Sequence, residues 1–110
     1  MVKIDNTFEN NIIKIGENAN ENDKIIQEAE QTDVWFHLSN LPSCHVIIEC
    51  SEEFPLIPIM ITYCAQLVKQ NTKYKHYAKL KVSYTIIKNV NRTDVAGSVI
   101  LKGKVRKIVV

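Results

Sequence analysis

Residues 33–50, DVWFHLSNLPSCHVIIEC, decide the fold because they contain two strand-forming runs on either side of a short loop. Val34–Leu38 and residues 45–50 are rich in β-branched and aromatic side chains, which favour strands. The loop between them contains Pro42, which is typical of a turn. The stretch therefore predicts two antiparallel strands joined across residues 39–44.

The register of this strand pair follows from centring it on the loop. His37 then lies opposite His45, Trp35 lies opposite Ile47, and Phe36 lies opposite Val46. Because successive side chains of a strand point to opposite faces, two sets of residues separate. One face is predicted to carry Trp35, His37, His45 and Ile47, and the other Phe36, Leu38, Val46 and Ile48.

The rest of the chain continues the pattern of short, mixed elements. Strands are predicted at residues 2–4 and 12–15, a helix after the capping side chains of residues 18–22, and a second helix that begins at Pro58. A strand over residues 79–87 is expected to turn Leu80, Val82, Tyr84 and Ile86 inward and Lys79, Lys81, Ser83 and Thr85 outward. Residues 91–97 read as a loop, followed by a terminal hairpin of residues 98–101 and 105–110 that turns at Gly103. The order β-β-α-β-β-α-β-β-β predicts one α+β domain, residues 1–110, with a mixed, mostly antiparallel sheet.

Size and composition exclude several classes of protein. The chain has 110 residues, of which 45% are hydrophobic and 24% charged, as in ordinary soluble domains. No apolar run reaches the roughly 18 residues that a membrane span needs, so no membrane association is expected. The polar residues 1–10 do not resemble a secretory signal, and Cys44, Cys50 and Cys64 form no paired motif. Reduced thiols and a cytoplasmic location are therefore expected.

Charge is divided unevenly along the sequence. Residues 1–60 carry 3 Lys against 11 Asp and Glu, a balance of −8, whereas residues 61–110 carry 11 Lys and Arg against Asp94 alone, a balance of +10. A basic half of this strength is typical of proteins that bind polyanions. The alternative is that folding interleaves the two halves and cancels the field.

Cations and aromatic rings alternate in residues 73–79, KYKHYAK. Cations neutralise phosphates, and aromatic rings offer stacking surfaces for bases. If the terminal hairpin lies beside the strand over residues 79–87, we expect one basic stripe that binds nucleic acid. The alternative is a solvated face that keeps edge strands soluble. The predicted contacts of this segment and the stripe are Lys73, Tyr74, Lys75, Lys79, Lys81, Lys104 and Arg106.

The paired histidines admit more than one role. His37 and His45 beside Trp35 could hold a phosphate or a base edge while the indole stacks on a base, or both could be buried and fix the strand pair. A metal site with Cys44 and Cys50 lacks a standard ligand spacing, and general acid–base cleavage of RNA by the two histidines is a further alternative. Asp33 is expected to cap the start of its strand or to orient His37.

Two motifs carry a family resemblance. Residues 16–23, GENANEND, resemble the G-x-N-x-x-E-N-D motif of the NFACT-R domain. The second motif is similar to that family's D-x-W-F-H…P-G-S-H-V signature and consists of Asp33, Trp35, Phe36, His37, Pro42, His45 and Val46. Ser43 and Cys44 replace the Gly and Ser of the family loop. The resemblance covers the chain from about Ile12 to its end, and residues 64–69, CAQLVK, are similar to the standalone forms in small eukaryotic coiled-coil-domain proteins.

The resemblance implies a standalone RNA-binding module. NFACT proteins act in ribosome-associated quality control and bind tRNA and obstructed large ribosomal subunits. We therefore expect a non-enzymatic domain that binds tRNA or ribosomal RNA, with the ribosome as a further partner and without a cofactor or a metal. The alternatives are an adaptor that offers its acidic half and Trp35 to a protein partner, and a small histidine-dependent ribonuclease.

Overall fold

A computed structural model describes all 110 residues. The strands and helices follow in the order β1 Lys3–Asp5, β2 Ile13–Gly16, α1 Ala19–Glu28, β3 Val34–Leu38, β4 His45–Ile48, α2 Pro58–Gln70, β5 Lys81–Ile86, a 3-10 turn Ile87–Asn89, β6 Val90–Arg92, β7 Val99–Leu101 and β8 Arg106–Val109. The α+β class is confirmed. Neither helix has the length and apolar character needed to cross a bilayer.

Six of the strands form one sheet in the order β1-β2-β4-β3-β5-β8, and β6 and β7 form a separate ribbon. All neighbours are antiparallel. The β3–β4 register is the predicted one, with Trp35 opposite Ile47 and Phe36 opposite Val46. This pair lies at the centre of the sheet, as expected for its apolar sequence.

The two faces of the sheet bury separate clusters, because the side chains alternate between them. α2 packs against one face through Met60, Cys64, Ala65 and Val68, which meet Phe36, Leu38, Val46 and Ile48. α1 packs against the other face through Ile25 and Ile26, which meet Trp35 and Ile47. The predicted division of β3 and β4 into two faces is confirmed.

Local sequence sets where both helices begin. Asn18 is the N-cap of α1, and its Oδ1 accepts from the backbone N–H of Glu21 at 2.9 Å. The Glu21 carboxylate in turn accepts from the backbone N–H of Glu17 at 3.0 Å, so two unsatisfied donors find partners. α2 begins at Pro58 as predicted, where the missing N–H costs nothing.

The outward face predicted for β5 is partly wrong. Ser83 and Thr85 are buried, whereas Ile86 is 41% exposed. Thr85 Oγ1 donates to the carbonyl of Lys104 at 2.8 Å, and Ser83 Oγ is hydrogen-bonded to Ser39 Oγ at 2.7 Å. Hydroxyl groups tolerate this burial because neighbouring segments complete their hydrogen bonds.

The predicted terminal hairpin is also wrong. β7 pairs with β6, and most of β6 falls in the segment 91–97 that was predicted to be a loop. β8 pairs with β5 instead of with β7. Gly103 lies in the link between β7 and β8 with φ 69, a left-handed conformation that glycine adopts without strain. The backbone N–H of Lys102 donates to the carbonyl of Asn89 at 2.9 Å, which directs the chain back toward β5. Sequence periodicity identified the strands here but not their partners.

Candidate nucleic-acid interface

A row of polar side chains crosses the sheet on the face that α1 covers only in part. The register places His37 opposite Ser83 and Ser83 opposite Lys107, and the ring centroids of His37 and His45 are 4.8 Å apart. We call His45, His37, Ser83 and Lys107 the histidine row. It runs across β4, β3, β5 and β8 in that order, so residues distant in the sequence share one surface.

An open groove lies at the His45 end of this row. Its volume is about 460 Å³. We call it the histidine groove. Its lining includes Asn22 of α1, His37, His45, and Thr72 and Lys73, which follow α2. The Asn18 N-cap and Ala19 also line it, so the start of α1 borders the groove.

Trp35 determines which nitrogen of His45 carries the proton. The indole Nε1–H donates to Nδ1 of His45 at 3.0 Å, and the two rings meet edge to face. An Nδ1 that accepts a hydrogen bond carries no proton, so neutral His45 carries its hydrogen on Nε2. Nε2 makes no hydrogen bond within the protein, and His45 lines the groove. The groove therefore presents a fixed N–H donor.

His37 has the opposite tautomer. Its Nδ1 lies 2.6 Å from the carbonyl oxygen of Leu38, which only accepts, so Nδ1 carries the hydrogen and donates. Nε2 of neutral His37 is therefore an acceptor. The His37 ring stacks on the Trp35 indole with centroids 5.6 Å apart and the planes within 4° of parallel. A donor and an acceptor thus lie side by side at the groove.

Burial keeps both imidazoles neutral. It lowers the pKa of His45 to about 3, and the neighbouring His37 lowers it further in the same direction. Burial also lowers the pKa of His37, opposed by the hydrogen bond to Leu38. At neutral pH the pair offers hydrogen bonds and no charge, so the expectation that these histidines hold a phosphate needs cations from elsewhere.

Two further buried side chains leave polar atoms free at the groove. Asn22 Oδ1 accepts from the backbone N–H of His45 at 3.1 Å, while its Nδ2 has no partner in the protein. Thr72 is 8% exposed, and its hydroxyl makes no hydrogen bond within the chain. Since no enclosed side-chain nitrogen or oxygen lacks a partner, these two groups are open to the groove. Sequence analysis missed both; Asn22 had been interpreted only as a residue that stabilises the helix start.

The predicted basic stripe is divided between the two faces of the sheet. Lys81 shares the alternation of Ser83, and Lys107 lies opposite Ser83, so both are on the face of the histidine row. Arg106 lies opposite Tyr84 on the face that packs against α2. The stripe of Lys79, Lys81, Lys104 and Arg106 is therefore not one continuous surface, and Lys107, which sequence analysis missed, takes the place expected for Arg106.

The charge asymmetry nevertheless persists in space. The strands of the acidic half, β1 to β4, occupy one side of the sheet, and β5 and β8 form the other edge. Salt bridges neutralise three basic side chains, in the pairs Lys3–Glu17, Lys14–Glu49 and Arg92–Asp23, and Glu21 pairs with the N-terminal ammonium. No carboxylate lies within salt-bridge distance of the other basic residues of the second half: Lys69, Lys73, Lys75, Lys79, Lys81, Lys88, Lys102, Lys104, Arg106 and Lys107.

The aromatic residues differ in what they can offer a base. Trp35 is 2% exposed, so the expectation that its indole stacks on a base is wrong; it positions both histidines instead. Tyr74 is half-buried, with Tyr77 against its edge and the Lys73 ammonium 5.3 Å from its ring centroid. Tyr77 is 55% exposed and has a free surface, although the sequence had drawn attention to Tyr74.

Cys50, Cys64 and Asp33 lie outside the groove, whereas the buried Cys44 is one of its lining residues. No three His, Cys, Asp or Glu side chains converge as metal ligands do. Burial raises the pKa of the Cys44 and Cys50 thiols to about 11 and that of Cys64 above its usual range. Asp33 accepts from the backbone N–H groups of Glu30 and Cys50 and makes no hydrogen bond to His37, so it caps the start of β3.

Comparison with known proteins finds a relative in sequence and a solved structure with a similar fold. The chain is 35% identical over 77 residues to a coiled-coil domain-containing protein 25 homolog of Dictyostelium discoideum, a match that spans 66% of this chain and 37% of that protein. Its fold resembles the solved C-terminal part of the fibronectin/fibrinogen-binding protein of Streptococcus suis, with a TM-score of 0.80 and 24% identity over 92% of this chain and 41% of that one. The chain thus spans less than half the length of either relative.

The family assignment rests on a match that covers nearly the whole domain. The sequence model of one family extends over residues 1–107 and so includes both motifs, the histidine row and the histidine groove. This chain belongs to the NFACT protein RNA binding domain family.

Proposed function

We propose that this domain binds structured RNA, tRNA or ribosomal RNA, through the face of the sheet that carries the histidine row. The observation that supports this most is the placement of cations without carboxylate partners at both ends of the row. Lys73 lies at the groove, and Lys81 and Lys107 lie at the β5–β8 edge. Membership of an RNA-binding family favours RNA over other polyanions.

The binding mechanism that we infer combines attraction with local hydrogen bonds. Lysine ammonium groups neutralise backbone phosphates and release counterions, which supplies affinity without sequence preference. Tyr77 packs against Tyr74, whose ring lies beside the groove residue Lys73, and the two rings add an aromatic surface. The neutral histidines then provide the short-range contacts. We include in this proposal a role in translation or ribosome quality control, which the family resemblance supports.

The His37–His45 pair is poorly suited to cleave RNA. General acid–base cleavage needs a group that is protonated near the working pH to donate to the leaving oxygen. His45, with its pKa near 3, stays neutral, and its Nδ1 is held by Trp35. A binding role therefore fits the pair better than the ribonuclease alternative.

The test is the salt dependence of binding to labelled tRNA, measured by fluorescence anisotropy. We expect log affinity to fall steeply with log salt concentration, by roughly 0.7 to 0.9 per phosphate contacted. The double variant Lys81→Gln/Lys107→Gln should flatten the slope by about one to two contacts. Its control, Lys14→Gln/Lys24→Gln, loses the same charge from the acidic half and should leave the slope unchanged. Absence of binding at low salt, or an equal effect of both variants, would overturn the proposal.

A further inference from the structure

The histidine groove has a hydrogen-bonding pattern more specific than phosphate binding requires. His45 is 3% exposed, yet its Nε2–H has no partner in the protein. Nε2 of His37 beside it is an acceptor, because Nδ1 donates to Leu38. Phosphate oxygens only accept, so a phosphate would satisfy the donor and leave the acceptor unpaired.

A hydroxyl group on a ligand both accepts and donates through a single oxygen and so can satisfy both histidines. The ring centroids of His37 and His45 are 4.8 Å apart and both residues line the groove, so one small bound group can lie within reach of both imidazoles. In nucleic acids the hydroxyl that separates RNA from DNA at each nucleotide is the ribose 2′-hydroxyl.

We propose that the histidine groove reads a ribose 2′-hydroxyl, with His45 Nε2–H donating to its oxygen and His37 Nε2 accepting its hydrogen. This inference rests on the proposed function and deepens it, because it makes the groove the place where RNA is preferred over DNA. Trp35 acts as a positioning residue, since it fixes the tautomer of His45 and stacks on His37.

The neighbouring groups suit the phosphate that adjoins such a ribose. Three groups that can donate hydrogen bonds border the same groove: the free Nδ2 of Asn22, the Thr72 hydroxyl and the Lys73 ammonium. Glu17 also lines the groove, but it forms a salt bridge with Lys3 at 2.8 Å, which reduces its repulsion of an anion.

The depth of the site favours a hydroxyl over a base edge. Only a small part of the His45 ring reaches solvent, because Trp35 and the β4–Asn22 contact enclose the rest. A single oxygen that projects from a sugar can reach the recessed Nε2. A flat base would have to align two of its edge atoms in the same confined space.

The experiment compares one RNA hairpin with the same hairpin in which every ribose is 2′-fluoro, which keeps the A-form but removes the donor hydrogen. We expect the wild-type chain to bind the ribose form roughly fivefold to tenfold more tightly, as one or two net hydrogen bonds allow. His37→Phe keeps a ring stacked on Trp35 and removes the acceptor but not the His45 donor, so the ratio should fall toward one with an unchanged salt slope. His76→Phe, at an exposed histidine outside the groove, is the control and should keep the ratio.

Each outcome either supports or overturns the proposed 2′-hydroxyl site. Equal affinity of the wild-type chain for both hairpins, or an unchanged ratio in His37→Phe, would overturn the 2′-hydroxyl site while leaving RNA binding intact. A preference that follows base sequence in hairpins of constant sugar, and disappears in His37→Phe, would assign the groove to a base edge instead. No binding to either hairpin would remove the proposed function itself.

Discussion

Trp35 Nε1–H and His45 Nδ1 form a hydrogen bond of 3.0 Å between two adjacent strands of the sheet. The indole end of this bond belongs to the cluster beneath α1, and the imidazole end opens on the histidine groove. The bond therefore connects core packing to the chemistry of the surface. Removing the indole N–H should therefore change whether Nε2 of His45 carries the hydrogen.

The first prediction concerns Trp35→Phe. The variant keeps an aromatic ring in the core but leaves Nδ1 of His45 without a donor, and we expect the free energy of unfolding to fall by about 1–3 kcal/mol. His45 should then populate both neutral tautomers, which ¹⁵N shifts of the imidazole report directly. Tyr77→Phe removes the polar group of an exposed ring and should change stability by less than about 0.5 kcal/mol. A His45 tautomer unchanged in Trp35→Phe would contradict the proposed role of the indole.

The second prediction concerns Gly16→Ala at the end of β2. Gly16 is opposite His45 in the register, and a Cβ there would lie 2.8 Å from the backbone nitrogen of Asn22 and 2.9 Å from its Cα. Because helix backbone cannot yield as a flexible side chain does, we expect a loss of roughly 1–3 kcal/mol in unfolding free energy. RNA affinity should fall as well, since Asn22 is displaced from the groove.

Asn20→Ala, at an exposed position in the same first turn of α1, is the matched control for that experiment. It should change neither stability nor RNA affinity appreciably. Wild-type stability of Gly16→Ala in urea denaturation would show that α1 can move away from β2 without cost.

Sequence periodicity predicted the central part of this fold because its signals are local. The apolar alternation of Val34–Leu38 and Pro42 in the following loop determined both the β3–β4 register and the meeting of the two histidines. The partner of β8 depends on long-range pairing, which Gly103 and the lysine-rich link between β7 and β8 did not reveal. For the same reason Lys107 was missed and Arg106 was assigned to the wrong face.

Burial was the other property that the sequence did not supply. Trp35 and His45 have side chains equally suited to a core or to a binding surface, and only the position of α1 shows that the first is enclosed and the second is open at one atom. Asn22 and Thr72 carried no signal for the groove, because their free polar atoms gain meaning only from the neighbours that the fold brings to them.

The third prediction compares two adjacent cations on opposite faces. Lys107 lies in the histidine row, whereas Arg106 lies beside Tyr84 on the α2 face. Lys107→Gln should reduce the slope of log RNA affinity against log salt by roughly one contact, about 0.7 to 0.9, and Arg106→Gln should not. Both variants lose one positive charge, so a difference between them reports the face and not the net charge. Equal slopes in the two variants would contradict the assignment of the binding face.

The fourth prediction follows from the lowered pKa values of His45, which is buried, and of His37, which is half-buried. In the unfolded chain a histidine titrates near 6.5, whereas folded His45 titrates near 3 and folded His37 below its usual value. Between these limits the unfolded state binds more protons, so acid favours unfolding. The free energy of unfolding should be insensitive to these groups above pH 6.5. It should then fall by up to about 1.4 kcal/mol per pH unit for His45 as the pH decreases, with a further loss from His37.

Urea denaturation between pH 7.5 and 4.5 measures this dependence in the range where the histidines dominate. The pKa values of Asp5, Glu21 and Asp23 are lowered by their hydrogen-bond partners, so the stability that these carboxylates contribute is lost only in more acidic solution. His45→Gln removes the titrating group and should flatten the profile over the same range. His76→Gln, at an exposed site, should reproduce the wild-type slope. A His45→Gln profile as steep as that of the wild type would show that folding does not lower the pKa of His45, and would contradict the assignment of this imidazole as a neutral donor throughout this pH range.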